Sequence, residues 1–353
     1  MTTSIAGASF LITGGASLIG SHITDLLLSE GAQEVRLFDN LSLGTPDTVR
    51  HLVHDARVKI IKGDVLRLNE LIDATKGVNG IFALAGYLTL PMSQNPALGV
   101  AVNSAGVVNT CEAARIVGAR KIVFSSSTAV YGSAIGKEIV EETPIGRAGV
   151  PSAAALYGTS KLLGEAICAQ YAHMYGLECM ALRFSSVYGE RQHWRAVNSI
   201  FIAETYERIR RGERPVIVGD GSEVHDYIYV TDVADACVAA MDSTFKSDVL
   251  NIVTGVDTNL NYIVERLLIE CGASDLRPEY REDRRPVRTA SLTHLGFSRA
   301  KAEREIGWVP KTSIDSGVRK YIAWRESIVK EMPSKDQQRA GHGDPSATSF
   351  KEA

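Results

Sequence analysis

Ser9-Phe10-Leu11-Ile12-Thr13-Gly14-Gly15-Ala16-Ser17-Leu18-Ile19-Gly20 joins a short apolar run to a glycine-rich turn. Residues 9–13 read as a buried strand, and the pattern that resumes at Leu18 predicts a helix to about Ser29. Glycines between a strand and a helix permit a tight turn. They also let backbone amides at the helix N-terminus meet a pyrophosphate. An ordinary glycine-rich turn is the other reading. Its position directly after the first buried strand favours the phosphate loop.

Outward from this loop, apolar runs alternate with amphipathic segments. Strands are expected at residues 34–38, 58–61, 80–84, 121–125 and 178–183, with long helices over 98–117 and through 157–175. That rhythm predicts an α/β fold, a Rossmann doubly wound parallel sheet with right-handed crossovers. The rhythm loosens after Phe184. A helix is expected from Val197 to Arg211, then an apolar run at 215–218, and Leu250-Asn251-Ile252-Val253 reads as a strand returning to the main sheet. Residues 1–184 are therefore assigned to a dinucleotide-binding domain to which 225–253 returns. Residues 185–224 and 254–330 are assigned to a smaller C-terminal substrate lobe. The polar stretch 331–353 has no apolar period and reads as a disordered tail.

The 353 residues carry 45% hydrophobic and 22% charged side chains, ordinary for a soluble globular protein. A net charge of −3 offers no basic field for nucleic acid. No apolar run reaches the roughly 20 residues that span a bilayer, and the N-terminus has no signal-peptide pattern. Cys111, Cys168, Cys179, Cys237 and Cys271 are odd in number and form no CxxC pair. They read as reduced core thiols of a cytoplasmic protein. No metal site is expected, and His51 and His54, three apart, read as a solvated face. Arg210, Arg211 and Arg214 read as surface charges.

Tyr157 and Lys161 are four residues apart and share one helical face. An ammonium beside a phenol lowers the phenol pKa, so Tyr157 is the candidate base. Ser127, closing Ser125-Ser126-Ser127 at a strand end, is the candidate hydroxyl partner. Asp39 ends the second strand, 19 residues beyond Gly20. A carboxylate there accepts hydrogen bonds from ribose hydroxyls and repels a 2′-phosphate, which favours NAD over NADP. Asp64 follows the third strand, either as an acceptor for the adenine amino group or as a helix N-cap.

The chain resembles the extended short-chain dehydrogenase/reductase family, and within it the NAD-dependent sugar-nucleotide epimerases. The landmarks run in order over about residues 8–325: TGGASLIGSH (13–22), FDNLSLG (38–44), GDV (63–65), NSAG (103–106), SSSTAVYG (125–132), YGTSK (157–161), RFSSVYG (183–189), GDGSEVHDYIYVTDVADA (219–236) and GWVP (307–310). The resemblance implies a cofactor site of Gly14, Ser17, Leu18, Ile19, Gly20, Asp39, Asn40, Ser42, Asp64, Val65, Leu84, Ala85, Gly86, Asn103, Ser125, Tyr157, Lys161 and Phe184. It implies a substrate site that includes Thr89, Ser127, Ser186, His225 and Arg284. Related dehydratases carry an Asp-Glu pair where this chain has Thr128-Ala129, and decarboxylases carry a Glu at the Ala129 position. Without those acids, the implied reaction is epimerisation at C4 of a nucleotide sugar. Tyr157 takes the C4 hydroxyl proton, Ser127 shares that oxygen, and Lys161 holds the nicotinamide ribose. A net dehydrogenase of a related sugar or secondary alcohol is the alternative, and a non-catalytic nucleotide-binding scaffold a third reading.

Four positions depart from the family pattern. Ser17 replaces the middle glycine of the loop and is expected to crowd the pyrophosphate or to donate to it. Gly86 stands where Ala or Ser is common and is expected to leave room near the nicotinamide. Ser186 replaces an Asn, and His225 replaces an Arg that grips the substrate diphosphate. The alanine-rich faces at Ala113, Ala114 and Ala153 to Ala155 allow close approach of helices, either between two copies in a homodimer or within one chain.

Overall fold

Residues 4–134, 138–146, 148–192, 200–282 and 296–331 are described by the structure, a computed structural model. Its first half builds β1 (Ser9–Thr13), α1 (Leu18–Ser29), β2 (Glu34–Asp39), β3 (Val58–Lys62), α2 (Leu68–Thr75), β4 (Gly80–Ala83), α3 (Thr89–Gln94), α4 (Pro96–Val117) and β5 (Lys121–Ser127). Then follow α5 (Ser152–Tyr175), β6 (Glu178–Phe184), β7 (Ser186–Tyr188), α6 (Ile200–Arg210), β8 (Val216–Val218), β9 (Val224–Tyr229), α7 (Val230–Asp242) and β10 (Asp248–Ile252). The remainder is β11 (Asp257–Asn259), α8 (Leu260–Glu270), β12 (Glu279–Arg281), α9 (Ala300–Ile306) and α10 (Ile314–Glu331). Residues 197–199 of the expected helix and the expected tail beyond Glu331 lie outside the described residues.

Seven parallel strands form the central sheet in the order β10-β6-β5-β4-β1-β2-β3. The inner strands β1, β4 and β5 read as apolar runs because both their faces are covered, whereas the edge strand β3 is largely exposed. The sheet's side chains divide alternately between two cores. Phe10, Ile12, Leu37, Phe82, Val123 and Leu182 face α1 and α7. Leu11, Phe38, Ile81, Ile122, Phe124 and Ala181 face the layer of α2, α4 and α5. The order reverses at β1, so the loops after β1 and β4 diverge at the sheet's carboxyl edge and open a cleft there.

Leu250 to Ile252 returns to the main sheet as expected, as part of β10 beside β6. The weaker patterning after Phe184 has a physical cause. β7, β9 and β11 form a separate three-stranded sheet, and β8 and β12 a two-stranded one. Each of these outer strands except β9 has three residues, too few to show a period. Tyr188 packs edge-on against Tyr227 and Tyr229 where β7 meets β9. The alanine argument for α4 resolves within one chain: Ala113 and Ala114 are fully buried in the monomer core.

Lys121 opens β5 yet is completely buried. Its Nζ donates to the carbonyl oxygens of Ser243 and Phe245, both at 2.8 Å, and to Ser243 Oγ at 3.2 Å. It ties the sheet to the turn between α7 and β10. Lys121→Met should leave those acceptors unmatched and lower unfolding free energy by about 2–3 kcal/mol. Denaturant unfolding should give a lower midpoint with an unchanged slope, and an unchanged midpoint would contradict this role.

Candidate active site

The cleft at the switch point has a volume of about 550 Å³, measured open to solvent. Gly14, Ser17, Asp39, Asn40, Ser42, Val65, Leu84, Ala85 and Gly86 line it, all expected from sequence. Phe38, Leu43, Gly63, Tyr87 and Val102 also line it and were not expected. Phe38 and Val102 were hidden among core hydrophobics. Leu43 and Gly63 lay inside quoted motifs.

The turn after β1 needs glycine at two points in particular. Gly14 has φ +69°, and a Cβ there would meet Ala85 N at 2.9 Å. A Cβ on Gly20 would lie 2.7 Å from Gly15 O. Position 17 makes no such demand. Ser17 has φ −105° and ψ 170°, and its Oγ accepts from Gly20 N at 3.2 Å as the N-cap of α1. The serine therefore stabilises the helix end, and the expected crowding does not follow from the backbone.

Asp39 sits buried at the end of β2. Its Oδ2 accepts from Ala16 N at 3.0 Å and its Oδ1 from Leu41 N at 2.8 Å. Burial pushes its carboxyl up, and the two amide hydrogen bonds pull the other way. Asp64 is not a helix N-cap: α2 is capped at Arg67, and Asp64 Oδ1 accepts from Leu66 N at 2.9 Å in a local turn. Asn40 Nδ2 reaches Asp64 Oδ2 at 3.4 Å, joining the two loops that flank Gly63.

A phosphate-sized approach over small residues, the N-terminus of α1 and an acidic group at the end of β2 together fit an NAD dinucleotide. Gly14 to Gly20 would hold the pyrophosphate, and Asp39 the adenosine ribose.

Beside the cleft, α5 packs across β5 and β6, with its first turns toward their carboxyl ends. Lys161 is buried and its Nζ donates to Ser125 O at 2.8 Å. Burial lowers its pKa to about 8, opposed by the charge of Glu165. Tyr157 is buried too, and its pKa is pushed up to about 12 by burial, with a Ser127 hydrogen bond acting against it. This corrects the expectation that Lys161 acidifies the phenol. The ammonium is committed to a main-chain carbonyl and lies 6.0 Å from the Tyr157 ring centre. Ser127 Oγ also accepts from Ala129 N at 3.2 Å, which fixes the hydroxyl at the strand end.

One further expectation changes. Gly86 leaves no spare room: a Cβ there would meet Asn103 Oδ1 and Lys161 Nζ, each at 3.2 Å. Asn103 is buried, with Oδ1 accepting from Tyr87 N at 2.7 Å and Nδ2 donating to Tyr87 O and Ser160 Oγ, both at 3.0 Å. It pins the cleft wall at Tyr87. Leu18, Ile19, Gly20, Ser125 and Phe184 stand at the same carboxyl edge, on α1, β5 and β6. Thr89 opens α3.

These features decide the assignment. The sequence profile of the NAD dependent epimerase/dehydratase family matches residues 10–253. The chain belongs to that family. It is of the extended short-chain dehydrogenase/reductase type, with NAD as cofactor. It is 31% identical over 316 residues to a UDP-glucose 4-epimerase of Mycolicibacterium smegmatis, covering 88% of this chain and 96% of that protein. The structure superimposes with a TM-score of 0.76 on UDP-glucose 4-epimerase with UDP-glucose from Thermotoga maritima, at 28% identity, covering 91% and 99% of the two chains. A TM-score of 0.76 and 28% identity also relate it to the Thermus thermophilus UDP-glucose 4-epimerase complex with NAD, covering 90% and 99%.

On the substrate side, β7 and β9 pair in register Ser186↔Tyr227, so Ser186 stands one strand from the segment carrying His225. His225 Nε2 lies 2.9 Å from Glu223 Oε1. Arg284 lies outside the described residues. Sequence reading missed the neighbouring polar core: Glu165 and Arg183 form a buried ion pair at 2.8 Å behind Ser126. A charge inside an apolar strand (Arg183), and a carboxylate one turn beyond Lys161, were the available signals.

Ser17→Gly should leave NAD affinity within about threefold, because the backbone there suits either residue. Gly20→Ala should weaken NAD binding at least about 100-fold, since its Cβ meets the loop backbone. Calorimetric titration with NAD checks both, and equal effects of the two substitutions would contradict this reading of the loop.

Proposed function

We propose that the protein is an NAD-dependent epimerase of a nucleotide-activated sugar, inverting C4 through a transient 4-keto sugar. One observation carries the reading: the buried Tyr157 phenol, whose pKa the Ser127 hydroxyl lowers, shares a helix face with Lys161, and the Lys161 ammonium abuts the cleft-lining Gly86. Thr128 and Ala129 beyond it bring no carboxylate for elimination or decarboxylation.

Tyr157 takes the C4 hydroxyl proton and later returns it. Ser127 donates to the same oxygen and carries the proton across when the sugar turns its other face. Lys161 holds the ribose of the dinucleotide. Burial of Tyr157 and Lys161, with Ser127 half-buried beside them, limits the access of water to the ketone. When bound, NAD supplies the acceptor and donor of the C4 hydride and, oxidised, a positive charge that favours the phenolate.

A dehydrogenase of a related alcohol is the second reading. The Glu223–His225 pair favours it, because a carboxylate beside a histidine grips a diphosphate far less well than an arginine fork. Residues 185–224 and 254–330 form the substrate lobe in this proposal, with Ser186, His225 and Thr89 facing the substrate and Arg284, outside the described residues, as a further candidate contact. Exposed Val108 and Ile116 on α4, and Leu163 and Met174 on α5, support a homodimer through those helices. Five free cysteines support a cytoplasmic location.

Tyr157→Phe should reduce turnover by about 10²–10⁴-fold while NAD still binds. Turnover like that of the unaltered protein would remove Tyr157 as the base. His225→Arg should tighten UDP binding by about tenfold in calorimetry if the diphosphate sits there. Unchanged binding would move the diphosphate elsewhere and favour the dehydrogenase reading.

A further inference from the structure

Tyr157, Lys161 and Glu165 recur at four-residue intervals on one face of α5. Glu165 is buried, and its oxygens hold two different elements. Oε1 accepts from Ser126 Oγ at 2.5 Å and from Arg183 Nε at 2.9 Å, and Oε2 accepts from Arg183 Nη2 at 2.8 Å. Ser126 is the neighbour of Ser127 on β5, and Arg183 the neighbour of Phe184 on β6. Arg183 Nη1 continues to Tyr131 Oη at 2.8 Å and to Glu141 O at 2.9 Å. Tyr131 ends the short turn that Ser127 begins, and its hydroxyl donates to Asn251 Oδ1 on β10 at 2.7 Å. The elements that carry the base and the hydroxyl partner thus converge, with β6 and β10, on one carboxylate and one guanidinium.

Such a pair is a weak stabiliser compared with apolar packing, because both ions lose their water. Its value lies in geometry: a bidentate fork fixes direction as well as distance. We propose that Glu165 and Arg183 are a positioning pair for the reaction: they set the placement of Ser127 against Tyr157. The same carboxylate stands one helical turn beyond Lys161 on the face the two share, and so bears on the lysine's charge. The inference rests on the epimerase reading of the same site.

The charge effect has few other sources. On α5, Lys161 faces Tyr157 and Glu165. From β5 it meets the Ser125 carbonyl and the Phe124 ring, 5.3 Å away, and from the α4 side the uncharged Asn103, across Gly86. Of these, Glu165 is the group whose charge raises the lysine pKa. The sign follows directly. The ammonium is present at low pH and is lost as pH rises through about 8; without the carboxylate that loss comes earlier.

Glu165→Gln alone strands a buried guanidinium and risks unfolding, so the double variant Glu165→Gln with Arg183→Met is its companion. It removes both charges at similar volume. Lys161 is titrated by NMR in cofactor-free protein labelled at lysine. Turnover, KM and unfolding are measured on the same samples. The lysine midpoint should fall by about half a pH unit or more in both variants. Turnover should fall by about 10- to 100-fold with KM within about twofold, and the double variant should unfold like the unaltered protein while remaining slow. An unmoved lysine midpoint, or full turnover in the double variant, overturns the proposal. Failure of the unaltered protein to epimerise any nucleotide sugar defeats the functional reading instead, and the lysine titration still decides the charge effect.

Discussion

One hydrogen bond joins the two halves of the chemistry: Lys161 Nζ donates to Ser125 O at 2.8 Å. It fastens the helix that carries Tyr157 to the strand that ends in Ser127. Parallel strands direct their carboxyl ends to one edge, and the reversal of order at β1 opens the nucleotide cleft at that edge. The tie through Lys161 sets the proposed base, one turn away on α5, near the cleft-lining Gly86. Gly86 and Asn103 leave it no slack, since the lysine head packs against the first and the second pins the wall beside it.

Tyr157 and Lys161 are buried, and burial moves their pKa values in opposite senses. The phenol is held neutral and the ammonium is made easier to deprotonate. Both shifts disfavour the charged forms that proton transfer needs. The fold answers with fixed charges: Glu165 beside Lys161, Arg183 against Glu165, and a cationic nicotinamide when the cofactor is bound. Reactivity is therefore assembled from the surroundings and is not intrinsic to a Tyr and a Lys four residues apart.

The central sheet was legible because its inner strands are buried on both faces and its connections are helical, which leaves unbroken apolar runs between glycine-marked turns. The phosphate loop was legible because Gly14 and Gly20 are required by backbone geometry. The short strands after Phe184 were not legible, since three residues carry no period. Gly86 was misread for a related reason, and the N-cap role of Ser17 was not foreseen. A motif reports which residue relatives prefer, whereas the backbone angle at Ser17 and the lysine against Gly86 decide what each position tolerates. Tyr157 was placed correctly on the helix, but its acidity depends on where the lysine points, which sequence spacing does not determine. The Glu165–Arg183 pair needed the contact of α5 with β6, two elements whose charged residues looked unrelated along the chain.

The most direct measurement follows the hydrogen on C4. A nucleotide sugar carrying deuterium at C4 is incubated with the protein and its bound NAD in ordinary water, and the product is read by NMR. The account predicts the C4 epimer with deuterium still at C4 and no accumulation of reduced cofactor. Product with hydrogen from water at C4, or accumulated reduced cofactor without epimer, would contradict it.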